Sequence, residues 1–264
     1  MTRPAPDLLD PDKIKANLRI KRIGREILVY NRTSSTNDIA ERYARDKSND
    51  GLAVFAEEQT AGRGRAGSKW QSKRSDSILC SILLINDNLS AELLSLSFAV
   101  AVAEAVGKPS RSYAKIKWPN DIMLNGKKVA GILLEAKPHR NGKIFIVGIG
   151  INCHQQQNDF PEDLQQTATS IDIESHLVAD RIHLAKRLIG SIDYWLEAAE
   201  QNKQQVIDRW RSLSIQLGHR VTLLFDGRKF TGNCTGIDPE KGLILQLDSG
   251  GIRMFEAAHT TISK

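Results

Sequence analysis

The sequence has few cysteines, few aromatic residues and no long apolar run. Its three cysteines, Cys80, Cys153 and Cys234, are far apart, which excludes a Cys-x-x-Cys motif, a zinc-ligand pattern and an even set of disulfides. We therefore expect a reducing, cytoplasmic environment. No window approaches the roughly 18–20 uncharged apolar residues of a membrane-spanning helix. Residues 1–21 mix acids, bases and prolines without an apolar core, so we expect neither a secretory signal nor a membrane association.

The remaining composition is typical of a globular chain. The 264 residues are 41% hydrophobic and 26% charged, and at about 100–200 residues per domain this length predicts one large domain, alone or with a small one. The formal net charge is +6, and eight basic and four acidic residues in 1–32 account for +4 of it. Such a charge suits nucleic acid, an acidic partner or an anionic substrate, but a solvated basic surface explains it more simply.

Hydrophobic patterning predicts a mixed α/β domain that ends near residue 216. Strands are expected at 26–30, 51–56, 77–85, 115–118, 122–124, 129–134 and 144–151. Helices are expected after the capping residues 34–37, at 90–106, and at 177–199 and 204–213. The helix at 90–106 is apolar all round, which indicates burial. Asn125-Gly126 predicts a hairpin turn.

The C-terminal residues follow a different pattern. Short strands at 221–225, 229–237, 243–247 and 252–255 alternate with glycine turns, which predicts a small antiparallel barrel packed on the larger domain. We therefore divide the chain into an N-terminal basic extension (1–25), a main domain (26–216) and a small C-terminal β-barrel domain (217–264).

A glycine-rich loop follows the second predicted strand. Gly62, Gly64 and Gly67 satisfy the pattern G-x-G-x-x-G of dinucleotide-binding folds, and two of them have the spacing of a P-loop. Both motifs require a helix to begin at the loop, because the helix N-terminus receives the phosphates. Residues 68–77 are polar and lack helical periodicity, so we exclude both folds. The glycines instead allow positive φ and a close approach of the backbone to a ligand.

Two arginines in this loop, Arg63 and Arg65, place positive charge beside exposed backbone amides. This combination suits a carboxylate or a phosphate. A flexible, solvated turn is the alternative. Gln59 before the loop and Trp70 after it favour an ordered loop that folds over a ligand.

A second cluster begins where Pro119 ends a predicted strand. Asn120 and Asp121 follow in a turn, where their oxygens can reach a magnesium ion or a ribose, although these residues are also an ordinary turn signal. Lys127 and Lys128 alternate across the next strand, so one of them faces inward, where a lysine usually meets an anion. Glycines at 148 and 150, inside a later strand, permit close backbone approach or mark a bulge.

As an ordered set, these elements resemble the biotin protein ligases. The resemblance rests on Gly-Arg-Gly-Arg at 62–65, Lys-Trp-Pro-Asn-Asp at 117–121, Lys-x-Ala-Gly-Ile-Leu at 128–133 and Gly-Ile-Asn at 150–152, with Ser-Thr-Asn at 35–37 upstream. Order and spacing agree over about residues 30–155. The resemblance implies the α+β class, with a mixed-sheet catalytic domain of the biotin/lipoate ligase type and a small C-terminal SH3-like β-barrel.

The resemblance also implies a two-step, ATP-dependent reaction. Biotin and ATP give biotinyl-5′-AMP and pyrophosphate in the presence of Mg²⁺. The biotinyl group then passes to a lysine of the biotin carboxyl carrier domain of acetyl-CoA carboxylase. The catalytic residues are expected to be Arg63, Arg65 and Lys128, because their charges offset the repulsion between the biotin carboxylate and the α-phosphate. The incoming lysine is the nucleophile, so a catalytic Ser-His-Asp or Cys-His set is not needed.

By the same resemblance, the residues expected to contact biotin are Ser35, Thr36, Asn37, Gln59, Arg63, Gly64, Arg65, Lys128, Gly131 and Gly150. Those expected to contact ATP or the adenylate are Arg63, Arg65, Trp70, Lys117, Asn120, Asp121 and Asn152, and the candidate metal ligand is Asp121. The glycine-arginine loop is expected to order over the intermediate and shield the mixed anhydride from water.

The chain departs from the family pattern at two places. Ala66 stands where members often have a second basic residue, which predicts a less tightly held intermediate. Some members carry an N-terminal winged helix–turn–helix that represses biotin genes, whereas here about 25 residues, including Pro4, Pro6 and Pro11, precede the first predicted strand. We therefore expect a ligase without specific DNA binding. The oligomeric state is open, and a homodimer is compatible with the sequence.

Two alternative functions remain at this stage. A lipoate or octanoate ligase shares a similar core, but it would lack the Gly-Arg-Gly-Arg loop and would use a different lysine context. A nucleic-acid-binding module would explain the positive charge and predicts salt-sensitive retention on DNA. Against it, the basic residues are not interleaved with aromatic ones, and only 6% of the residues are aromatic.

Overall fold

The computed structural model describes residues 7–85, 88–107, 113–139 and 142–262. Its helices are α1 (Pro11–Lys15), α2 (Thr36–Tyr43), α3 (Ala91–Gly107), α4 (Ile171–Ser175), α5 (Arg181–Gln201) and α6 (Lys203–Leu213). Its strands are β1 (Ile27–Tyr30), β2 (Ala53–Ala56), β3 (Ser77–Ile85), β4 (Lys115–Lys117), β5 (Asp121–Leu124), β6 (Lys127–His139), β7 (Gly142–Asn152), β8 (Arg220–Phe225), β9 (Arg228–Asp238), β10 (Gly242–Leu247), β11 (Ile252–Phe255) and β12 (Thr260–Ile262). The predicted α+β class is confirmed, while Pro4 and Pro6 lie outside the described residues.

Seven strands form a mixed sheet in the order β1-β2-β3-β7-β6-β5-β4. The pair β1–β2 is parallel and the other neighbouring pairs are antiparallel. The predicted turn at Asn125-Gly126 joins β5 to β6, and both residues have positive φ, of 47° and 81°. Positive φ at both central positions is what a tight hairpin turn of this type requires.

The two faces of this sheet are covered unequally. One face packs against α3, α5 and α6 and contains most of the apolar core, including Ile78, Phe145 and Ile132. On the other face, α2 packs over a smaller cluster that includes Leu83 and Ile146. Since α2 is only eight residues long, it covers one end of that face. The same face carries the candidate site beside the start of α2.

The helix predicted from residue 177 begins later, at Arg181. His176 ends α4 in the left-handed conformation, with φ of 55°. Asp180 then caps α5 by accepting a hydrogen bond from the His183 amide at 2.8 Å. Leu177 and Val178 are exposed, so their apolar character extended the predicted helix beyond its true start.

The C-terminal residues form a second, five-stranded antiparallel sheet in the order β11-β10-β9-β8-β12. The sheet is not closed, because β11 and β12 are its two edges. Strand β12 was not predicted; it pairs Thr260 with Phe225 after a short 3₁₀ turn. The sheet contacts the main domain near the start of α3, where the Ser90 hydroxyl donates to the Pro239 carbonyl at 2.7 Å.

The residues before β1 pack onto the main domain. Leu9, Ile14 and Ile23 are buried in the large apolar core. The carboxylate of Asp193 on α5 accepts hydrogen bonds from three consecutive backbone amides, those of residues 21–23, at 2.7–2.8 Å. The boundaries of the three predicted segments stay a prediction. In the described ranges, α-helices that combine the length and the apolarity needed to cross a bilayer are absent.

Candidate active site

Three glycines form the floor of the candidate site, beside the start of α2. Gly131 of β6 pairs with Gly150 of β7, and Gly148 lies two residues before Gly150 on the same face. A methyl group at Gly150 would collide with the indole of Trp70, and one at Gly148 would lie 2.6 Å from Asn37 Oδ1. The glycines therefore serve close approach rather than a bulge, because the β6–β7 register is continuous here.

Polar side chains at the start of α2 form one end of the site. Ser35, Thr36 and Asn37 are buried. Thr36 donates through its amide and its hydroxyl to Gln59 Oε1, at 2.7 and 3.0 Å. The Ser81 hydroxyl on β3 lies 2.7 Å from Thr36 Oγ1 and 2.5 Å from Asn37 Oδ1. This network fixes the orientation of the donors and acceptors before any ligand binds.

The glycine-arginine loop is an ordered hairpin. The Gly64 amide donates to the Ser68 carbonyl at 2.7 Å, and the Trp70 amide donates to the Gly62 carbonyl at 3.0 Å. A single 3₁₀ turn lies at its tip, in which Ala66 has φ of 50° and ψ of 39°. The α-helix that a dinucleotide fold or a P-loop needs does not begin here, so both exclusions are confirmed.

Arg63 is held by carboxylates at the edge of the site. Its Nη2 lies 2.8 Å from Asp38 Oδ1 and 3.5 Å from Glu135 Oε1. The hydrogen bond to Asp38 raises the pKa of Arg63. Burial alone would raise the pKa of Asp38, but the hydrogen bond and charge of Arg63 hold it below its ordinary value. The side-chain amide of Asn37 also donates to Glu135 Oε2 at 2.9 Å. Glu135 therefore connects Arg63 to the polar end of the site.

Arg65 ties the loop to the C-terminal sheet. Its guanidinium donates to the carbonyls of Ala257 and Thr260, the second at 2.9 Å, and lies 3.3 Å from Asn120 Oδ1. Burial lowers the pKa of this guanidinium, and the negative charge of Asp121 opposes that effect. Arg65 therefore fixes the loop to the C-terminal sheet and also places a guanidinium beside the site.

Lys128 is the inward-facing member of the predicted lysine pair. Its Nζ lies 2.6 Å from Asp121 Oδ1 on β5 and 6.0 Å from the ring centroid of Trp70. The β5–β6 register shifts beside this pair. The backbone of Lys128 bonds to the segment that follows β7, through its amide to the Thr167 carbonyl at 2.7 Å and its carbonyl to the Thr169 amide at 2.9 Å.

These residues enclose a central cavity of about 310 Å³. The structure brings almost all of the predicted site residues into its wall: Ser35, Thr36, Asn37, Gln59, Arg63, Gly64, Arg65, Trp70, Lys117, Asn120, Asp121, Lys128, Gly131 and Gly150. A polar end, a backbone floor and a cationic wall therefore meet around one space.

Asn152 lies apart from the other predicted residues. It lines a flanking cavity of about 630 Å³, which shares Trp70 and Lys128 with the central cavity. Its Nδ2 donates to the Thr169 carbonyl at 3.0 Å. Phe160 contributes an apolar wall to the flanking cavity. Trp70 and Lys128 thus lie at the boundary between the central and the flanking cavity.

A buried ionic cluster supports the strand ends that carry the site. Arg181 is fully buried, with Nε 2.7 Å from Asp7 Oδ1 and Nη2 2.8 Å from Glu57 Oε2. Burial opposes the charge on His154, but the carboxylates of Asp172, at 2.8 Å, and Asp7, at 3.5 Å, raise its pKa to about 9. Burial would likewise raise the pKa of Asp7, yet His154 and Arg181 lower it to about 2.

Sequence reasoning missed several residues of the central cavity and its surroundings. Asp38 and Glu135 are the counter-ions of Arg63, Ser81 supports the polar end, and Thr261 reaches the cavity from β12. A signal existed for Glu135, because it lies in period-two register with the glycine floor along β6. The signal for Thr261 was absent, because its strand was too short to be predicted.

The oxygen donors of the site suit magnesium only as an ion shared with a substrate. Clusters of three or more His, Cys, Asp or Glu side chains able to hold a metal are absent from the part of the chain that the structure describes. Asp121 is paired with Lys128, and Asn120 Oδ1 accepts from Arg65. Mg²⁺ is commonly held by one or two protein oxygens together with substrate phosphates, and this donor set fits that arrangement.

Comparisons with known proteins point to one family. Residues 29–152 match the biotin/lipoate A/B protein ligase family. The biotin–[acetyl-CoA-carboxylase] ligase of Paracoccus denitrificans is 42% identical over 225 residues, which cover 83% of this chain and 93% of that protein. The bifunctional ligase/repressor BirA of Bacillus subtilis is 31% identical over 263 residues, which cover 96% of this chain and 79% of that protein.

Solved structures agree with these sequence matches. The biotin protein ligase from Aquifex aeolicus in complex with biotin and ATP is 28% identical, has a TM-score of 0.77, and is aligned over 91% of this chain and 99% of its own. Both sequence matches cover more than four fifths of this chain and more than two thirds of the relative. The chain therefore belongs to the biotin protein ligases of the biotin/lipoate A/B protein ligase family.

Proposed function

We propose that this chain binds biotin in the central cavity and activates it with ATP as biotinyl-5′-AMP. The polar end formed by Ser35, Thr36 and Gln59 offers donors and acceptors that suit the ureido group of biotin. The absence of side chains at Gly131 and Gly150 lets the indole of Trp70 lie directly against the β6–β7 backbone. Trp70 thereby offers the biotin ring system an aromatic wall of the central cavity. Small-molecule sites typically combine apolar surface with fixed polar groups, and the central cavity combines Trp118 and Ile149 with the polar end.

The observation that carries this proposal is that Arg63, Arg65 and Lys128 all line the central cavity. The biotin carboxylate attacks the α-phosphate of ATP, and both groups are anionic. Arg63, Arg65 and Lys128 offset that repulsion and stabilise the charge that builds up in the transition state. Before substrate binds, Asp38 and Asp121 neutralise two of these cations. The substrate anions then replace protein carboxylates as their partners.

We assign the nucleoside of ATP to the flanking cavity. Asn152 offers a polar contact there, and Trp70 offers an aromatic face at the boundary with the central cavity. Lys128 lies at the same boundary, so the phosphates would meet it between the two spaces. Mg²⁺ bound with ATP would neutralise phosphate charge. The side-chain oxygens of Asp121 and Asn120 are the protein groups that would hold it.

In the second step a lysine of the biotin carboxyl carrier domain of acetyl-CoA carboxylase attacks the activated acyl group. The chain does not need a nucleophile of its own for this step. Its cysteines are free and buried, and burial raises the pKa of the Cys153 thiol to about 12, which makes it a poor nucleophile. Free thiols also suit the cytoplasmic location that we propose for the enzyme. A homodimer remains compatible with this function.

The experiment that tests the proposal detects the intermediate. The purified chain is incubated with biotin and Mg-ATP, desalted and examined by native mass spectrometry, with lipoate in a parallel incubation. We expect a bound mass equal to biotinyl-5′-AMP in the incubation with biotin and no corresponding adduct in the incubation with lipoate. Lys128→Ala serves as the matched variant and should retain much less of the adduct. An adduct that forms with lipoate but not with biotin would contradict the assignment and favour a lipoate ligase.

A further inference from the structure

A lateral cavity of about 460 Å³ adjoins the central cavity on the side of the C-terminal sheet. The two cavities share Arg63, Arg65, Asn120 and Thr261 in their walls. The remaining walls come from the start of α3, from β6 and from residues 257–259. Neither biotin nor ATP is assigned to this space by the proposed function, although it opens beside the reacting groups.

Glu92 on α3 lies in the wall of the lateral cavity and is 7% exposed. Its Oε1 accepts a hydrogen bond from the Ala257 amide at 2.6 Å. Its Oε2 is buried and lacks a hydrogen-bond partner among the described residues. A buried carboxylate oxygen without a donor is costly, and such a group in a native structure usually has a functional or ligand-related reason.

The other walls define the ligand that fits. Ile132, Leu133, Leu134, Ala257 and Ala258 supply apolar surface. The acidic groups are Glu92 and Glu135, while the two arginines of the wall also line the central cavity, where the proposed function gives them the substrate anions. Apolar wall surface beside a carboxylate oxygen that lacks a donor suits an unbranched alkyl chain that ends in an ammonium group. It does not suit a phosphate or a second carboxylate.

We infer that the lateral cavity receives the acceptor lysine of the carrier domain and that Glu92 takes a proton from its ammonium group. This inference rests on the proposed function, because it supplies the nucleophile for the second step. The ammonium form of lysine has no lone pair and cannot attack an acyl group. Entry through the lateral cavity brings the amine to the wall of Arg63 and Arg65, beside the central cavity where the adenylate is proposed to lie.

The step balances in protons and electrons. The lysine ammonium transfers one proton to the carboxylate of Glu92 and becomes a neutral amine. The nitrogen lone pair forms a bond to the acyl carbon of biotinyl-5′-AMP, and the bond from that carbon to the phosphate oxygen breaks. AMP leaves with the bonding electron pair, and the nitrogen loses its second proton to AMP or water. The products are an amide of biotin and lysine, and AMP.

The charges around Glu92 are compatible with this role. Burial raises the pKa of Glu92 to about 7, the Ala257 amide opposes that rise, the nearby charge of Glu256 adds to it, and Arg65 opposes it. Arg63, Glu135 and His259 also line the lateral cavity. A base with a pKa near the working pH is the most effective general base, because it is ionised before the transfer and accepts a proton readily.

The test separates the two half-reactions in Glu92→Gln, which keeps an oxygen for the Ala257 amide. Biotin-dependent ATP–pyrophosphate exchange reports the first step. Single-turnover transfer from preformed enzyme–biotinyl-5′-AMP to a purified biotin carboxyl carrier domain reports the second. Hydroxylamine is used as a parallel acceptor, because it is already neutral at pH 7. We expect exchange within about twofold of wild type and transfer to the carrier slowed about 100-fold, with hydroxylamine transfer unchanged.

The pH profile gives an independent readout. Wild-type transfer to the carrier should rise with pH and break near pH 7, as Glu92 ionises. Glu92→Gln should lack that break and rise towards the ordinary pKa of lysine, about 10.4. Equal losses with the carrier and with hydroxylamine, or unchanged transfer to the carrier, would overturn the inference. Absence of exchange in the wild-type enzyme would instead reject the proposed function.

Discussion

Lys128 and Asp121 form an ion pair across two neighbouring strands, with Nζ 2.6 Å from Oδ1. The pair faces the central cavity, and both side chains are partly exposed to it. The lysine is thus oriented before substrate binds, and the carboxylate is already engaged. This arrangement makes Asp121 a weak metal ligand by itself and leaves Lys128 ready to exchange a protein anion for a substrate anion.

Replacing Lys128 with alanine should therefore abolish most of the activation step. We expect biotin-dependent ATP–pyrophosphate exchange to fall roughly 100- to 1000-fold, as for the loss of one fixed group that stabilises developing charge. The matched control is Lys127→Ala, the neighbouring lysine that does not line the central cavity. It should keep near-normal exchange. Arg63→Ala should lose exchange to a similar degree, and near-normal exchange in both Lys128→Ala and Arg63→Ala would refute the site.

The glycine floor predicts a second pair of variants. Gly150→Ala places a methyl group against the indole of Trp70, so we expect a loss of about 1–3 kcal/mol in stability from overpacking together with weaker biotin binding. Gly190→Ala is the control, because Gly190 lies within α5 and a methyl group there meets nothing within 4 Å. That change should stabilise the protein by roughly 0.5–1 kcal/mol. Urea unfolding and calorimetric titration with biotin measure both effects.

Local patterns explain why much of the central cavity was predictable. The glycines at 131 and 150, the loop arginines and Lys128 each carry a local signal: an absent side chain in a strand, charge beside glycine, or a cation in an apolar run. The structure adds that strand pairing brings these separate signals onto one face. Their order along the chain agrees with this arrangement but does not by itself specify the register.

Long-range contacts explain what sequence reasoning missed. Arg65 bonds to carbonyls at 257 and 260, almost two hundred residues away, and a backbone acceptor has no sequence signature. Asp38 lies in the first turn of α2, where acidic residues are common, and only the folded chain places Arg63 beside it. Glu92 lies in a helix that was correctly expected to be buried, but its unpaired oxygen depends on where the C-terminal sheet packs. Such contacts arise only from tertiary structure.

Ala66 offers a test of intermediate retention. It borders both the central and the lateral cavity and already adopts left-handed backbone angles, φ 50° and ψ 39°. An arginine there adds a cation without a new backbone demand. We expect Ala66→Arg to slow release of biotinyl-5′-AMP by about threefold to fivefold, as for a partly exposed charge pair. Ala66→Gln makes the same backbone demand without charge, and identical off-rates for Ala66→Arg and wild type would sink this idea.

The cluster of His154, Asp7 and Arg181 predicts how stability changes with pH. The pKa of His154 is raised to about 9, so its stabilisation is fully present below its ordinary value of about 6.5 and is lost as pH rises through 9. The pKa of Asp7 is lowered to about 2, so its stabilisation is present above about 3.9 and is lost as pH falls through 2. The stabilising contributions of His154 and Asp7 are therefore both fully present between about pH 3.9 and about pH 6.5.

Urea unfolding of wild type and His154→Gln at pH 6 and pH 9.5 measures the first of these effects. We expect the stability difference between the two proteins to shrink by about 1–2 kcal/mol at the higher pH, less than the full shift implies because Asp7 is partly solvated. A difference that stays constant between the two pH values would show that His154 is not held in its charged form.

Glu256 gives the sharpest test of the role assigned to Glu92. Its exposed carboxylate adds to the rise in the pKa of Glu92, so Glu256→Gln should lower that pKa and move the break in the transfer profile to lower pH. Asp248→Asn removes an exposed acid from the same sheet that is not among the charges acting on Glu92, and it should leave the break in place. ATP–pyrophosphate exchange should be unaffected in both, because neither residue borders the central cavity. If the break moved equally in the two variants, it would reflect overall charge, and Glu92 would not be the group that titrates.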